Sequence, residues 1–263
     1  MMEILTCKLC GNKDLYFYYA QGNKNQFKYF KCRHCKLVNY EHPQGLGLSQ
    51  DVYESRYISP KEEGNKENQK QTQTYQYIKK HFKTPGKMME IGCSHARILY
   101  LAQNDGWIVE GLELFEAIAK SVKKEVGINI EVANFLEYQV NPSDRYDLVI
   151  LRHVLEHLPD PIKAMNQISA LLKEDGYTLL EFPNIEGFKN KFKRLINNTG
   201  IHKKKYSANW VPGHCQEFCR KSIEFLLAKT GFVLIDYQTY TRSAAANLIY
   251  QHIHIGNKAR VLA

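Results

Sequence analysis

Residues 87–97 read Lys-Met-Met-Glu-Ile-Gly-Cys-Ser-His-Ala-Arg, and the reading of this stretch decides the fold. Lys87 to Ile91 is a short buried-strand pattern. Ala96 to Asn104 follows with helical spacing and closes on Asp105-Gly106. The alternation continues outward. Trp107 to Leu112 reads as a strand, and Phe115 to Val126 as a helix ended by Gly127. Ile128 to Val132 and the apolar Tyr146 to Leu151 are two more strands. Ile162 to Leu172 is a helix and Tyr177 to Phe182 a strand. Ser222 to Lys229, Phe232 to Tyr240 and Leu248 to Ile255 complete the set. Strands separated by helical stretches predict a parallel sheet with helices on both faces. Ligands in such α/β folds bind at the carboxyl ends of the strands, near a topological switch point.

A second stretch, His153-Val154-Leu155-Glu156-His157-Leu158-Pro159-Asp160-Pro161, begins with the pattern H-x-x-E-H. That pattern also occurs in zinc peptidases, where a helix carries both histidines. Here it directly follows an apolar strand and stops four residues before Pro161, which leaves little room for such a helix. Glu113 ends the second strand 23 residues after Glu90, where an acid can accept hydrogen bonds from both hydroxyls of a ribose.

These stretches resemble the class I S-adenosylmethionine-dependent methyltransferases. Glu90-Ile91-Gly92-Cys93-Ser94-His95-Ala96 is similar to that family's motif I, E/D-h-G-x-G-x-G, with Ser94 and Ala96 in place of the second and third glycines. Asp147 to Ile150 and the segment 153–161 are similar to the signature after strand four in small-molecule methyltransferases. Leu171 to Tyr177 is similar to the turn before strand five, and Pro212-Gly213-His214 and Gly231-Phe232 also match family patterns. The resemblance implies a doubly wound, Rossmann-like α/β sheet and S-adenosyl-L-methionine as cofactor. It assigns cofactor contacts to Glu90, Gly92, Cys93, Ser94, Ala96, Glu113, Leu114, Asn134, Phe135 and Arg152. It puts His153 and His214 at the reacting end as proton acceptors, with Glu156 and His157 as loop-fixing residues. The segment also resembles ubiquinone-biosynthesis O-methyltransferases, so a divalent cation at His153, Glu156 and His157 stays open.

The N-terminus has a different texture. Cys7-Lys8-Leu9-Cys10 and Cys32-Arg33-His34-Cys35 are C-x2-C knuckles separated by 21 residues. Each lets two thiolates share one tetrahedral ion. Between them lie strand-like aromatics, Leu15 to Tyr19 and Phe27 to Phe30, with a turn at Gly22-Asn23. This resembles a zinc ribbon with Cys7, Cys10, Cys32 and Cys35 as ligands, and His34 left exposed. The alternative, two disulfides, is disfavoured in a reducing compartment. The domain expectation is therefore a ribbon over 1–42, a linker and helix over 43–84, and the methyltransferase domain over 85–263. Lys61 to Thr74 reads as polar linker, and Tyr75, Tyr77, Ile78 and Phe82 as the face of a helix that ends before Pro85-Gly86.

The chain has 263 residues, and its 44% hydrophobic and 24% charged content is that of an ordinary globular protein. It shows no apolar run of membrane-spanning length and no signal-peptide pattern, so a cytoplasmic location is expected. A net charge of +9 favours anionic partners. The connection 184–214 is long and carries bases between Phe188, Phe192, Leu195 and Ile196 at helical spacing, which suits an anionic acceptor or peripheral contact with a membrane surface. Cys215 and Cys219, four apart, are expected as buried thiols on one helix face. The leading expectation is O-methylation of a small or sugar-type acceptor, nucleotide- or lipid-linked. The alternatives are an RNA base methyltransferase and a non-catalytic cofactor-binding scaffold. Oligomeric state is left open.

Overall fold

In the computed structural model the described residues are 6–40, 57–141, 143, 145–188, 190, 205–207, 210–240 and 258–263. The strands form two sheets. A seven-stranded, mostly parallel sheet runs β10-β11-β8-β7-β4-β5-β6, and a four-stranded antiparallel sheet runs β1-β2-β3-β9. The expected doubly wound, Rossmann-like α/β architecture is present. The chain divides into two compact units, one of residues 48–152 with 167–179, the other of 1–47 with 153–166 and 180–263.

In the first of these, β4 (Lys87–Ile91) is central. It pairs in parallel with β5 (Ile108–Glu113) and with β7 (Tyr146–Arg152), so that Ile91 lies opposite both Leu112 and Leu151. Met88, Met89, Glu90 and Ile91 are all buried, as in a strand covered on both faces. β6 (Ile130–Val132) adds beyond β5. The chain leaves β4 towards β5 on one side while β7 lies on the other, and the switch point therefore falls at the carboxyl ends of β4 and β7. Helices α2 (Arg97–Asn104) and α3 (Glu116–Val126) make the crossovers.

Two boundaries in this unit depart furthest from the sequence expectation. Helix α1 spans Lys66–His81, so most of the expected polar linker is helical. Asn65 starts it, its side chain accepting from the Glu67 N–H at 2.8 Å. Asn68, Gln71 and Thr74 are buried, and the Asn68 amide donates to the carbonyls of Ser59 and Glu62 at 2.7 Å. The inward face of the first half of this helix is polar, and a search for apolar periodicity cannot see it. Strand β8 spans Leu172–Pro183 and begins where α4 (Pro161–Leu171) ends, absorbing the expected turn. Lys173 is held at 2.8 Å from Asp147 on β7. Gly176 has no room for a side chain, since a Cβ there would stand 2.9 Å from the Tyr146 carbonyl and 3.0 Å from that of Lys173.

The other unit carries the N-terminal sheet. β1 (Leu15–Gln21), β2 (Phe27–Cys32) and β3 (Val38–Tyr40) form an antiparallel meander with a bulge between Phe17 and Tyr19. Tyr19 stacks on Tyr29 with ring centroids 4.6 Å apart, and Tyr29 on Tyr40 at 5.1 Å. The fourth strand, β9, is Gln216–Glu217. Helix α5 (Arg220–Lys229) follows, then β10 (Asp236–Tyr240) antiparallel to β11 (Lys258–Leu262). Arg260 is paired with Glu181, both buried, at 2.6 Å. Strand β10 starts later than expected. The expected strand Leu248 to Ile255 and residues 191–204 of the basic insert lie outside the described residues. Cys215 and Cys219 are buried thiols as expected, but they do not share a helix face: Cys215 precedes β9 and Cys219 is the N-cap of α5. Among the described residues no helix is long and apolar enough to cross a membrane.

The tight approach at Gly176 yields a direct test. Gly176→Ala must displace backbone carbonyls rather than flexible side chains, and is expected to lower stability by about 1–3 kcal/mol. Equilibrium urea unfolding measures this; an unchanged midpoint would contradict the packing.

Candidate active site

The loop leaving β4 has an unusual backbone. Gly92, Ser94 and Ala96 all lie in the left-handed region, with φ of 66°, 49° and 55°. The two residues that replace glycines thus keep a glycine's conformation, at a cost of about 1–2 kcal/mol each. Backbone bonds hold the loop in place. The Gly92 N–H donates to the Leu112 carbonyl at 2.7 Å, and the Ala96 N–H to that of Cys93 at 2.9 Å. Ala96 is the N-cap of α2 and offers it no side-chain bond.

Glu113, at the end of β5, faces this loop. One carboxylate oxygen accepts from the Ser94 N–H and the other from the Leu114 N–H, both at 2.8 Å. A carboxylate has about four lone-pair sites, so it retains acceptor capacity beyond the backbone N–H groups that reach it. Burial raises its carboxyl above the usual range against the opposing pull of the Ser94, Leu114 and Phe115 N–H groups. A buried acid with spare acceptor sites at a strand's carboxyl end fits the ribose of an adenosyl cofactor. Cys93 and Ala96 are buried beneath the loop, and Glu90 is buried at the end of β4. Asn134 caps the short turn Phe135–Glu137, accepting from the Leu136 N–H, while Phe135 is buried behind it. Leu114 is exposed.

His95 was not foreseen as a site residue, although it stands inside the motif. It is buried, and burial, then the charge of Arg152, brings its imidazole down to about 4. It is therefore neutral at physiological pH. Its Nε2 lies 2.9 Å from the Gln71 amide nitrogen on α1. The usable signal was a histidine between two small residues of the loop; its partner on α1 had none.

In the other unit, His153 is itself strained, with φ of 55°, and its N–H donates to the Glu181 carbonyl at 2.7 Å. A single 3₁₀ turn, Leu155–His157, follows. Glu156 is buried at its centre, with one oxygen 3.3 Å from His153 Nδ1. The other oxygen has no hydrogen-bond partner among the described residues. His157 Nδ1 donates to the Gly213 carbonyl at 2.7 Å, which leaves Nε2 as the bare nitrogen of the neutral ring. The His157 and His214 rings stand edge to face at 4.9 Å. Glu156, His157 and His214 each bring one metal-ligand-type atom within 4.8 Å of the other two.

The loop 213–217 is stitched to this turn. The Cys215 N–H donates to the Glu156 carbonyl at 2.9 Å, and the Gln216 amide to the carbonyls of Leu155 and Leu158 at 3.2 and 2.8 Å. His153 and His214, singled out separately in sequence, thus converge on Glu156, which sequence reasoning had treated as structural. Burial works to raise the Glu156 carboxyl, but the His153 hydrogen bond and the charges of His153, His157 and His214 bring it below its usual range. Burial also lowers His157. Burial opposes protonation of His214 too, yet Glu217 and Glu156 outweigh it and raise that ring. Neighbouring imidazoles are therefore driven apart, one lowered and one raised.

The four knuckle cysteines also meet. Cys7 and Cys35 Sγ are 3.4 Å apart, Cys10 and Cys32 3.5 Å, and all four lie within 4.8 Å of one another. These separations exceed the ~2.05 Å of a disulfide and approach the ~3.8 Å between thiolates on a tetrahedral zinc. Gly11 and Lys36 hold the same position of each knuckle and share a left-handed φ, 71° and 65°. The hydrogen bond with Cys35, outweighing burial, brings the Cys7 thiol down to about 5. Asn39, fully buried and unforeseen, donates to Cys7 Sγ and accepts from the Lys8 N–H. The donor set fits zinc.

Comparison with known proteins bears on the methyltransferase portion of the chain. A family model described as a methyltransferase domain matches residues 65–237. Ubiquinone biosynthesis O-methyltransferase from Coxiella burnetii is 27% identical over 105 residues, covering 38% of this chain and 45% of that protein. The protein of the same name from Histophilus somni is 30% identical over 102 residues, covering 35% and 43%. The match spans less than half the length of these relatives. A solved S-adenosylmethionine-dependent methyltransferase from Archaeoglobus fulgidus superposes with TM-score 0.55 at 18% identity, over 82% of this chain and 99% of that one. Magnesium protoporphyrin IX methyltransferase from Synechocystis PCC 6803 with bound SAH superposes with TM-score 0.52 at 14% identity, over 75% and 82%.

The acids facing His214 are Glu217, 3.8 Å from its Nδ1, and Glu156; His157 is the adjoining ring. His214 is expected to titrate above, and His157 below, the ordinary imidazole value of about 6.5. His214, raised in the fold, contributes stability that is fully present below about pH 6.5 and is lost as pH rises through its folded value. Glu156, lowered, contributes stability present above about pH 4.3 and lost as pH falls through its folded value. Protonation of the lowered His157 offsets part of this on the acid side. Glu217→Gln should move the His214 midpoint down while His157 shifts little. NMR titration of the ring resonances reads both, and an unmoved His214 midpoint would contradict the assignment.

Proposed function

The chain belongs to the methyltransferase-domain family, and we propose that it is an S-adenosylmethionine-dependent enzyme that methylates an oxygen of a small or sugar-type acceptor, nucleotide- or lipid-linked. The cofactor supplies a methyl group activated on a sulfonium sulfur. In this reading Glu113 holds the ribose, the Gly92–Ala96 loop backs the cofactor's chain, and Asn134 and Phe135 flank the adenine.

The observation that carries the oxygen assignment is the His153–Glu156 pair. A hydroxyl needs a base to take its proton as the new C–O bond forms. Glu156 is buried with one oxygen 3.3 Å from His153 Nδ1, and in this reading it accepts from Nδ1–H and turns the ring's Nε2 towards the acceptor hydroxyl. This is the orienting logic of a carboxylate behind an imidazole base. His214, whose protonation Glu217 and Glu156 favour, stands by Glu156 and in this reading assists with an anionic acceptor. The O-methyltransferase names of the distant relatives support oxygen as the nucleophile, and the net charge of +9 supports an acidic or phosphorylated acceptor. The four cysteines of residues 1–42 are assigned to one structural zinc, a closed site with no position for a reacting water.

Mass-spectrometric screening of cell extracts with labelled cofactor identifies the acceptor. On that acceptor, His153→Ala and Glu156→Gln should each cut turnover by about 100-fold or more while calorimetric cofactor affinity stays level. Normal turnover in both variants would remove the base assignment. Failure of the wild-type chain to bind the cofactor would sink the enzyme reading, and label appearing only in RNA would replace the acceptor class.

A further inference from the structure

The ribbon and the loop that carries His214 share one sheet. Strand β3 pairs with β9, Val38 opposite Glu217 and Asn39 opposite Gln216. The Tyr40 N–H donates to the Cys215 carbonyl at 3.2 Å, and the Tyr29 hydroxyl to the His214 carbonyl at 3.4 Å. The Tyr19 hydroxyl donates to Glu217 Oε1 at 2.9 Å, and that carboxylate is the one beside His214 Nδ1. Four consecutive residues, His214 to Glu217, are thus gripped through both backbone and side chain. The same residues grip the Leu155–Leu158 turn through Cys215 and Gln216.

The knuckle Cys32–Cys35 is the connection between β2, which ends at Cys32, and β3, which begins at Val38. Whatever holds the four thiols therefore sets the direction of β3. A module this small depends on its metal for its fold. Resting on the zinc assignment above, we propose that the ribbon is the clamp that positions His214 and the Glu156 turn. In this role Tyr19 and Glu217 are positioning residues, acting through His214. Zinc occupancy at one site then governs geometry at another, with the pairing of β3 and β9 as the physical link.

Hydrogen-exchange mass spectrometry on the full chain, with zinc content measured in parallel, tests this. On chelation, peptides covering 213–219 and 153–158 should exchange faster by about tenfold or more. Peptides covering 87–113 and the cofactor affinity should hold. Loss of protection confined to residues 7–40 overturns the proposal and leaves the zinc assignment standing. Zinc-free protein as purified defeats the zinc assignment, and the second arm then decides the clamp alone. That arm is Tyr19→Phe, which keeps the ring stack and the thiols but removes the donor to Glu217. The His214 ring-nitrogen resonances should shift in this variant, with zinc content and cofactor affinity as in wild type. Unmoved His214 resonances refute the positioning role, as they do if chelation unfolds the whole chain.

Discussion

A carboxylate sealed from water needs positive charge and hydrogen bonds around it, or it cannot stay ionised. Glu156 imposes that demand on the unit that holds it. Three histidines answer it: His153, one turn of chain away; His157, beside it; and His214, from a loop that follows much later in sequence. Its backbone carbonyl also takes the Cys215 N–H. The late loop that meets this demand is also the one that pairs with the ribbon strand β3. The same charge separates the neighbouring rings, because His214 has Glu217 as a second acid and His157 has only a backbone carbonyl.

The cofactor-side loop obeys a different constraint. It must turn from β4 into α2 with its amides presented to Glu113, and that requires three left-handed residues within five. Glycine meets this without strain at position 92. Ser94 and Ala96 meet it with strain, in a loop that leaves a strand paired on both sides and buried. Small side chains here preserve backbone shape rather than chemistry.

Much of this was legible along the chain. The apolar runs at 87–91, 108–112 and 146–151 announce parallel strands, since burial on both faces removes the polar alternation. The paired cysteines announce a cluster of four thiols, because C-x2-C knuckles at that spacing are built to share one ion. Polar burial was not legible. The first half of the inward face of α1 carries Asn68, Gln71 and Thr74, residues that read as solvated linker until their partners are known. The start of β8 was hidden because Lys173 and Gly176 look like a turn, and only the neighbouring Asp147 and Tyr146 make them extended.

The sequence alone determined the strand-and-helix alternation, the thiol set and the acid 23 residues beyond Glu90, because each depends on local periodicity or fixed spacing. Tertiary structure decided that His153, His157 and His214 share one buried carboxylate, and that Gln216–Glu217 completes the ribbon's sheet. Both depend on contacts between segments separated by up to about 200 residues, and the pairing partner of a two-residue strand leaves no mark in its own composition.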